Sequence, residues 1–263
     1  MQFEVNGKQA YAYTGGKPFE AKLPSVIFVH GAQHDHSVWI LQSRYLAHHG
    51  YGVLALDLPG HGRSAGPALE SVAELADWIA AVQDAAGVKQ AAIVGHSMGS
   101  LIALECAARH PERVAKIALL AIAYPMKVSA ELLAATKDNE PLAQDMVNIW
   151  SHSAYAQYPN YPGPGFWVIG ENLRLMQRQK PGVMHVDFLA CNAYAGGEQA
   201  AARLRCPALL LLAQRDQMTP LRAARDFGKS LPGAQTVIIE GSGHNMMAEK
   251  PDEVLDSLRA FLT

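Results

Sequence analysis

The segment Gly95-His96-Ser97-Met98-Gly99 constrains the fold of this chain more than any other. The apolar run before it, 91–94, predicts a buried strand, and the residues after it, 98–109, predict a helix with an apolar face. A serine between two glycines, where a strand turns sharply into a helix, is typical of a nucleophile elbow, whose strain exposes the hydroxyl. A glycine-rich turn without chemistry gives the same pattern, so other segments have to decide between the two interpretations.

Apolar, β-branched segments alternate with helical patterns along most of the chain. The predicted strands are 2–5, 9–14, 25–29, 52–56, 91–94, 115–120, 208–212 and 235–239. The predicted helices lie near 38–49, 71–86, 98–109, 219–230 and 252–262. This alternation predicts βαβ units in a doubly wound α/β fold, and nearly continuous apolar strands indicate a parallel sheet covered on both faces. The first two strands flank Asn6-Gly7, which predicts a hairpin.

The alternation stops between about Tyr124 and Arg203. Helical patterns at 130–137, 142–150, 171–178 and 184–193 surround a loop rich in proline, glycine and aromatic residues, 155–167. We therefore divide the chain into a core, residues 1–123 and 204–263, and a helical cap or lid, residues 124–203. A surface loop with its rings packed for stability is the alternative to a lid that lines a substrate pocket.

Two polar residues at predicted strand ends complete the chemistry that a serine needs. A serine hydroxyl is a useful nucleophile only beside a base, and the base needs an orienting acid. Asp216 follows strand 208–212, and His244 follows strand 235–239 in a glycine-rich turn. Alone, Asp216 would serve as a helix cap and His244 as a turn residue. Because parallel strands present their carboxyl ends at one edge, the order Ser97, Asp216, His244 predicts a catalytic triad.

Acyl transfer through a serine also needs two N–H donors for the oxyanion of the tetrahedral intermediate. Met98, directly after the serine and at the start of a helix, is predicted to supply one. The loop after strand 25–29 is predicted to supply the other, since Gly31 lets its backbone turn towards Ser97. We assign this second donor to Ala32, with Gln33 as the alternative.

Candidate substrate-pocket residues come from the loop after strand 25–29 and from the cap. The loop candidates are polar and could also be an ordinary polar loop, whereas the cap candidates are aromatic and are proposed as a group. They are Gln33, His34, His36, Trp150, Tyr155, Phe166 and Trp167.

Composition excludes several classes of function. The 263 residues, 49% of them hydrophobic, suffice for one large core. A net charge of -2 without a basic stripe argues against nucleic-acid binding. No apolar run approaches the ~18 residues of a membrane span. Eleven histidines form no convincing ligand spacing, so we expect no metal.

The cysteines and the N-terminal residues bear on location. Cys106, Cys191 and Cys206 are odd in number and widely spaced, which argues against a disulfide framework and for a reducing compartment. No signal peptide is predicted from the first residues. We therefore expect a cytoplasmic protein, and we leave open whether it forms a homodimer.

Over nearly its whole length the chain resembles the cap-containing α/β-hydrolases, in their serine esterase and lipase-like branch. The resemblance rests on His30-Gly31-Ala32 with Trp39, on Asp57-Leu58-Pro59-Gly60-His61-Gly62-Arg63-Ser64, on the elbow, on Asp216, and on Gly243-His244 with Glu249-Lys250-Pro251. It implies an eight-stranded, mostly parallel sheet with flanking helices and a helical lid inserted after the sixth strand. It also implies hydrolysis without a cofactor. Serine rather than aspartate at the elbow argues against the haloalkane dehalogenase and epoxide hydrolase branches.

Three functions are compatible with these features. The first is hydrolysis of small to medium, uncharged carboxylic esters through an acyl-enzyme, with a small-molecule ester as the expected substrate. The second is carbon–carbon bond hydrolysis of meta-cleavage products, which needs carboxylate-binding groups such as Arg174, Arg178 and Lys180. The third is a non-catalytic ligand-binding protein of the same fold, which the complete triad argues against.

Overall fold

The computed structural model describes residues 1–157, 167–231 and 233–263. Its strands are β1 (Gln2–Val5), β2 (Lys8–Tyr13), β3 (Ser25–Val29), β4 (Gly52–Asp57), β5 (Ala91–His96), β6 (Val114–Leu120), β7 (Ala208–Ala213) and β8 (Gln235–Ile239). They form one sheet in the order β1-β2-β4-β3-β5-β6-β7-β8. The pairs β1–β2 and β2–β4 are antiparallel, and the other neighbours are parallel. The predicted eight-stranded, mostly parallel sheet is confirmed.

The helices connect these strands in the predicted alternation. They are α1 (Ile40–Ala47), α2 (Val72–Ala86), α3 (Met98–Arg109), α4 (Ala130–Asp138), α5 (Glu140–Trp150), α6 (Val168–Gln177), α7 (Val183–Ala193), α8 (Gly197–Arg203), α9 (Leu221–Gly228), α10 (Met246–Glu249) and α11 (Pro251–Leu262). Short 3-10 helices occur at His36–Trp39, Pro111–Arg113 and Ala154–Gln157. Among the described residues, no helix combines the length and the apolar character that crossing a bilayer requires.

The sheet is buried on both faces because its strand residues alternate between two hydrophobic clusters. On β3, Ile27 and Val29 belong to the cluster that includes α2 and α3, whereas Val26 and Phe28 belong to the cluster that includes α11. All four side chains are essentially inaccessible to solvent. Nearly continuous apolar strands are therefore needed, as in parallel sheets covered by helices on both sides.

Five helices, α4 to α8, lie between β6 and β7 within residues 124–203, which we call the insert. Part of it has a small hydrophobic cluster of its own, built from Leu132, Ala135, Ala143, Val147, Met176, Met184 and Phe188. Ala32 and Met218 of the flanking loops pack against this cluster. The insert therefore lies against the loops that follow β3 and β7.

Candidate active site

Ser97 occupies a sharp turn between β5 and α3. Its backbone has a φ of 53° and a ψ of -117°, in the positive-φ region that non-glycine residues rarely adopt. The Ser97 N–H donates to the Leu120 carbonyl at 2.9 Å, and its carbonyl accepts the Ser100 N–H at 2.9 Å. A Cβ at Gly95 would lie 2.0 Å from the Gly99 carbonyl oxygen, so only glycine fits there. The predicted elbow geometry is present.

Asp216 and His244 meet at the carboxyl ends of β7 and β8. His244 Nδ1 lies 2.8 Å from Asp216 Oδ2, and both residues are buried. Asp216 Oδ1 accepts the N–H groups of Met218, at 2.8 Å, and Thr219, at 2.7 Å. Asp216 thus organises its own turn with one oxygen, as a cap would, and holds the histidine with the other. An acid at Nδ1 directs the remaining lone pair of the ring to Nε2.

Ser97 and His244 line the same cavity, whose volume is about 310 Å³. Much of its wall is apolar and comes from the insert: Met126, Val128, Leu132, Val147, Trp150 and Phe188. A concave, mostly apolar site with a few convergent polar groups is typical of small-molecule binding. The cavity is therefore formed jointly by the core and the insert.

Two backbone N–H groups near Ser97 have no acceptor among the described residues and are the candidates for an oxyanion site. Met98 is the first residue of α3, so its N–H has no acceptor within the helix. The Ala32 N–H has no acceptor among the residues that the structure describes. The neighbouring Gln33 N–H, the alternative in the sequence prediction, donates to Asp187 Oδ2 at 2.8 Å. Of the two loop donors, Ala32 is the one that fits an oxyanion site.

The backbone at Gly243 and His244 is held by hydrogen bonds to a second histidine and to a glutamate. His96 Nε2–H donates to the His244 carbonyl at 2.9 Å, and burial holds the His96 pKa well below its usual value, so the ring is neutral. Glu249 accepts the Gly243 N–H at 3.1 Å and the hydroxyl of Ser153 in the insert. Burial raises the Glu249 pKa. In the sequence, Glu249 stands out only as part of the motif Glu249-Lys250-Pro251, and no pattern predicts its contact with Ser153.

His34 brings a hydrogen-bond acceptor of fixed orientation to the cavity wall. Asn148 Nδ2 donates to the Ile169 carbonyl at 3.1 Å, so Asn148 Oδ1 is free to accept Asn172 Nδ2 at 2.9 Å. Asn172 Oδ1 must then accept from His34 Nε2, 3.0 Å away. Burial lowers the His34 pKa to about 4, so the ring is neutral and its lone pair lies on Nδ1. Nδ1 has no partner among the described residues.

The other two loop candidates, Gln33 and His36, are not on the described cavity wall. Gln33 is fully buried, and its Nε2 donates to Glu140 Oε1 at 2.8 Å. His36 Nδ1 lies 2.7 Å from Asp57 Oδ1, and its ring packs against Tyr11 with the centroids 5.0 Å apart. Both side chains bind partners that are not on the described cavity wall, and the sequence does not show which residues those partners are.

The aromatic candidates of the insert separate in the same way. Trp150 lines the cavity. Trp167 is 72% exposed and Tyr155 is 59% exposed, with the Arg215 guanidinium 5.1 Å from the Tyr155 ring centre. Neither is part of the described cavity wall. Phe166 lies outside the described residues.

Asp35, His36 and Asp57 form a cluster whose ligand atoms lie within 4.8 Å of one another. Its carboxylates are already engaged. Asp35 accepts from Arg178 Nε at 2.9 Å and from Gln179 Nε2 at 3.0 Å, and Asp57 binds His36. Burial alone would raise the Asp35 pKa, but its hydrogen bonds and the guanidinium hold that pKa well below its usual value. The cluster fits an ion-pair network, and the absence of a metal stays a prediction.

The cationic residues considered for carboxylate binding lie apart from the cavity. Arg174, Arg178 and Lys180 are not on its wall as described. Lys127 is the sole lysine or arginine among the described lining residues, and its Nζ donates to the Asn192 carbonyl at 3.0 Å.

The comparisons with known proteins identify the fold family of the chain. The family model for the alpha/beta hydrolase fold matches residues 24–251. The chain is 28% identical, over 271 residues, to the dihydrolipoyllysine-residue acetyltransferase component of the acetoin cleaving system of Pseudomonas putida. That match covers 99% of this chain but only 65% of the Pseudomonas protein.

Two further matches cover almost the full length of both partners. The pimeloyl-[acyl-carrier protein] methyl ester esterase of Aliivibrio fischeri is 25% identical over 92% of this chain and 95% of its own. The crystal structure of the enol-lactonase from Burkholderia xenovorans LB400 superposes with a TM-score of 0.87 at 22% identity, over 99% of each chain. The latter is a likeness of fold.

Proposed function

The chain belongs to the α/β-hydrolase fold family, and on that premise we propose that it is a serine hydrolase of small to medium, uncharged carboxylic esters. The observation that carries the proposal is the cavity that Ser97 and His244 share, with Asp216 bound to the far side of the His244 ring at 2.8 Å. Nucleophile, base and acid then stand in the order that acyl transfer through serine requires.

The reaction has two halves. His244 Nε2 takes the Ser97 hydroxyl proton as Oγ attacks the ester carbonyl, and the N–H groups of Ala32 and Met98 stabilise the resulting oxyanion. His244 then gives its proton to the leaving alcohol, which leaves an acyl group on Ser97. Water, deprotonated by His244, attacks this acyl-enzyme and releases the carboxylic acid and the free serine. Asp216 stabilises the imidazolium in both halves.

The lining of the cavity supports uncharged acyl groups. The insert contributes mainly hydrocarbon, thioether and aromatic surface, and Lys127 has a carbonyl partner. The relative from Aliivibrio fischeri, whose name describes a methyl ester esterase, points to the same bond. A carboxylate-bearing carbon–carbon substrate would need cationic groups such as Arg174, Arg178 and Lys180, which are not on the described cavity wall, so we do not propose that reaction.

The experiment that tests the proposal is turnover of p-nitrophenyl esters of graded acyl length by the wild type and by Ser97→Ala. We expect wild-type turnover and a loss on the order of 10⁴–10⁶ in kcat for Ser97→Ala, since only binding and oxyanion stabilisation remain. Ser151→Ala, which removes another hydroxyl from the same cavity wall, is the matched control and should retain activity within about tenfold of wild type. A wild type that binds the esters without turnover would favour a non-catalytic ligand-binding protein instead.

A further inference from the structure

The loop after β3, residues 30–36, which we call the oxyanion loop, is held in place from the insert. The Gln33 N–H donates to Asp187 of α7, and Gln33 Nε2 donates to Glu140 Oε1 at 2.8 Å. Further along, Asp35 receives the Arg178 guanidinium, at 2.6 Å in its shortest contact. The core strand β3 supplies the start of this loop, but side chains of the insert hold its middle.

The middle of the loop needs such support because Gln33 has a φ of 53°. A non-glycine residue at positive φ is strained by about 1–3 kcal/mol, and such a residue persists only where its surroundings hold it. Asp187 Oδ2 lies 2.8 Å from the Gln33 nitrogen and fixes the direction in which this N–H points. The N–H of the preceding residue, Ala32, then remains without an acceptor among the described residues.

Asp187 is itself fixed by a second donor from the core. His61 Nε2 lies 2.8 Å from the same oxygen, Asp187 Oδ2, and both side chains are about 1% exposed. His61 Nδ1 lies 3.0 Å from the Pro59 carbonyl, which can only accept, so this nitrogen carries a proton. Burial lowers the His61 pKa, but the Asp187 charge together with the hydrogen bonds to Asp187 and to the Pro59 carbonyl outweighs that effect, so the pKa is raised. His61 is therefore an imidazolium that donates one N–H to the Pro59 carbonyl and the other to the Asp187 carboxylate.

We propose that Asp187 is a positioning residue for the reaction: from the insert, it holds Gln33 so that the Ala32 N–H faces the oxyanion. The inference rests on the proposed ester hydrolysis. Asp187 is not on the described cavity wall and touches no reacting atom. Its effect is to make a working oxyanion hole depend on the docking of α7 against the core.

The expected signature is a loss of turnover without a matching loss of substrate binding. Removing an oxyanion donor costs about 10²–10³ in rate, and a displacement of about 1 Å costs up to about 10². We expect Asp187→Ala to lower kcat by roughly 10- to 100-fold and to leave KM within about threefold. Both donors converge on one oxygen, so the amide oxygen of Asp187→Asn can accept in the same place, and this variant should recover part of the lost kcat.

Met184→Ala is the matched control for general loosening. Met184 lies on the same helix, is fully buried in the insert cluster, and is not on the described cavity wall. This truncation should cost about 2–5 kcal/mol of stability. Assayed well below its melting temperature, it should keep kcat within about threefold of wild type, unlike Asp187→Ala.

The closing experiment compares two inhibitors on the wild type and on these variants. A trifluoromethyl ketone forms a tetrahedral adduct with an oxyanion, whereas the matching secondary alcohol fills the same cavity without one. Asp187→Ala should weaken the ketone at least about tenfold and the alcohol hardly at all. Equal weakening of both, unchanged ketone affinity, or the same loss in Met184→Ala would overturn the inference.

The two proposals fail in distinguishable ways. If the wild type turns over esters and Ser97→Ala does not, but Asp187→Ala keeps wild-type kcat, only the positioning role falls. If the wild type neither turns over esters nor binds the ketone covalently, the hydrolase proposal falls and takes the positioning role with it. Should Asp187→Ala fail to fold, as judged by circular dichroism, Asp187→Leu, which is similar in size but offers no acceptor, decides: wild-type kcat together with wild-type ketone affinity would contradict the positioning role.

Discussion

Ser97 has an unfavourable backbone conformation, and the turn around it leaves little room for side chains. Its positive φ costs about 1–3 kcal/mol, and the turn is held by hydrogen bonds at the Ser97 N–H and at its carbonyl. Gly95 has no room for a side chain. Strain of this kind is recognisable in the sequence because only a narrow set of residues tolerates it, which is why the elbow was the most informative segment.

At the same scale, Asp216 and His244 should differ in how much they matter. His244→Ala removes the base, and we expect kcat to fall on the order of 10⁴–10⁶. Asp216→Asn should be milder, by about tenfold or more, because the acid only orients the ring and stabilises its charge. Steady-state kinetics on both variants checks this order. An Asp216→Asn variant with wild-type kcat would show that another group supports His244.

The insert is the element that gives the cavity most of its apolar wall. Trp150 and Phe188 are its described aromatic residues on that wall, whereas Trp167, 17 positions after Trp150, is 72% exposed. Composition predicts both Trp150 and Trp167 as pocket residues, because a sequence does not show whether an aromatic residue in a helical segment faces a cavity or solvent. The structure separates them because helix packing decides which face is covered.

Trp150→Ala should therefore change acyl-length preference more than stability. Removing the indole enlarges the cavity, and we expect the ratio of kcat/KM for octanoate over butyrate esters to rise by about tenfold. Trp167→Ala is the matched control and should leave that ratio unchanged. Equal ratios in the two variants, with an earlier melting transition for Trp150→Ala alone, would assign Trp150 to the packing of the insert rather than to specificity.

Element bounds show where sequence reasoning works and where it stops. The sequence predicted β3 and α3 with the bounds observed, because each is a continuous apolar or amphipathic run between clear turn signals. It missed α8, which begins at Gly197, since glycine disfavours helices. Gly197 is required there because a Cβ would lie 2.4 Å from the Tyr124 ring. Such a tertiary contact has no local signal.

The candidate site divides along the same line. The proposed triad, Ser97, Asp216 and His244, and the proposed oxyanion donors follow from residue type and strand-end position, both of which the sequence displays. Asp187 could not be found in this way, because it is one aspartate among the helical residues of the insert. Its significance comes from two donors 154 and 126 positions away, Gln33 and His61, which only the folded chain brings together.

For the whole molecule, buried neutral histidines should dominate the pH dependence of stability on the acid side. Burial lowers the pKa of His30 and of His34 to about 4, against about 6.5 in the unfolded chain. The unfolded state therefore binds more protons between these values, and stability is lost as pH falls through that window. Each group contributes up to ~1.4 kcal/mol per pH unit. His61, with its raised pKa, contributes stability at low pH that is lost as pH rises through the raised value.

Urea unfolding at a series of pH values checks this expectation. The free energy of unfolding should fall as pH decreases from about 6.5 towards 5, a range in which ordinary carboxyl groups stay mostly ionised. His34→Gln should flatten part of that slope, whereas His48→Gln, at an exposed position, should leave it unchanged. A free energy that stays constant over this range would mean that the buried rings do not need to remain neutral.

Covalent labelling tests most directly whether Ser97 is the nucleophile of this hydrolase. An alkyl p-nitrophenyl phosphonate transfers its phosphonyl group to an activated serine oxygen and releases p-nitrophenolate. Peptide mapping by mass spectrometry should find one phosphonyl group per chain, on Ser97, with ester turnover lost in proportion and no label in Ser97→Ala. Full loss of turnover with the label on another residue, or undiminished turnover with Ser97 labelled, would contradict the account.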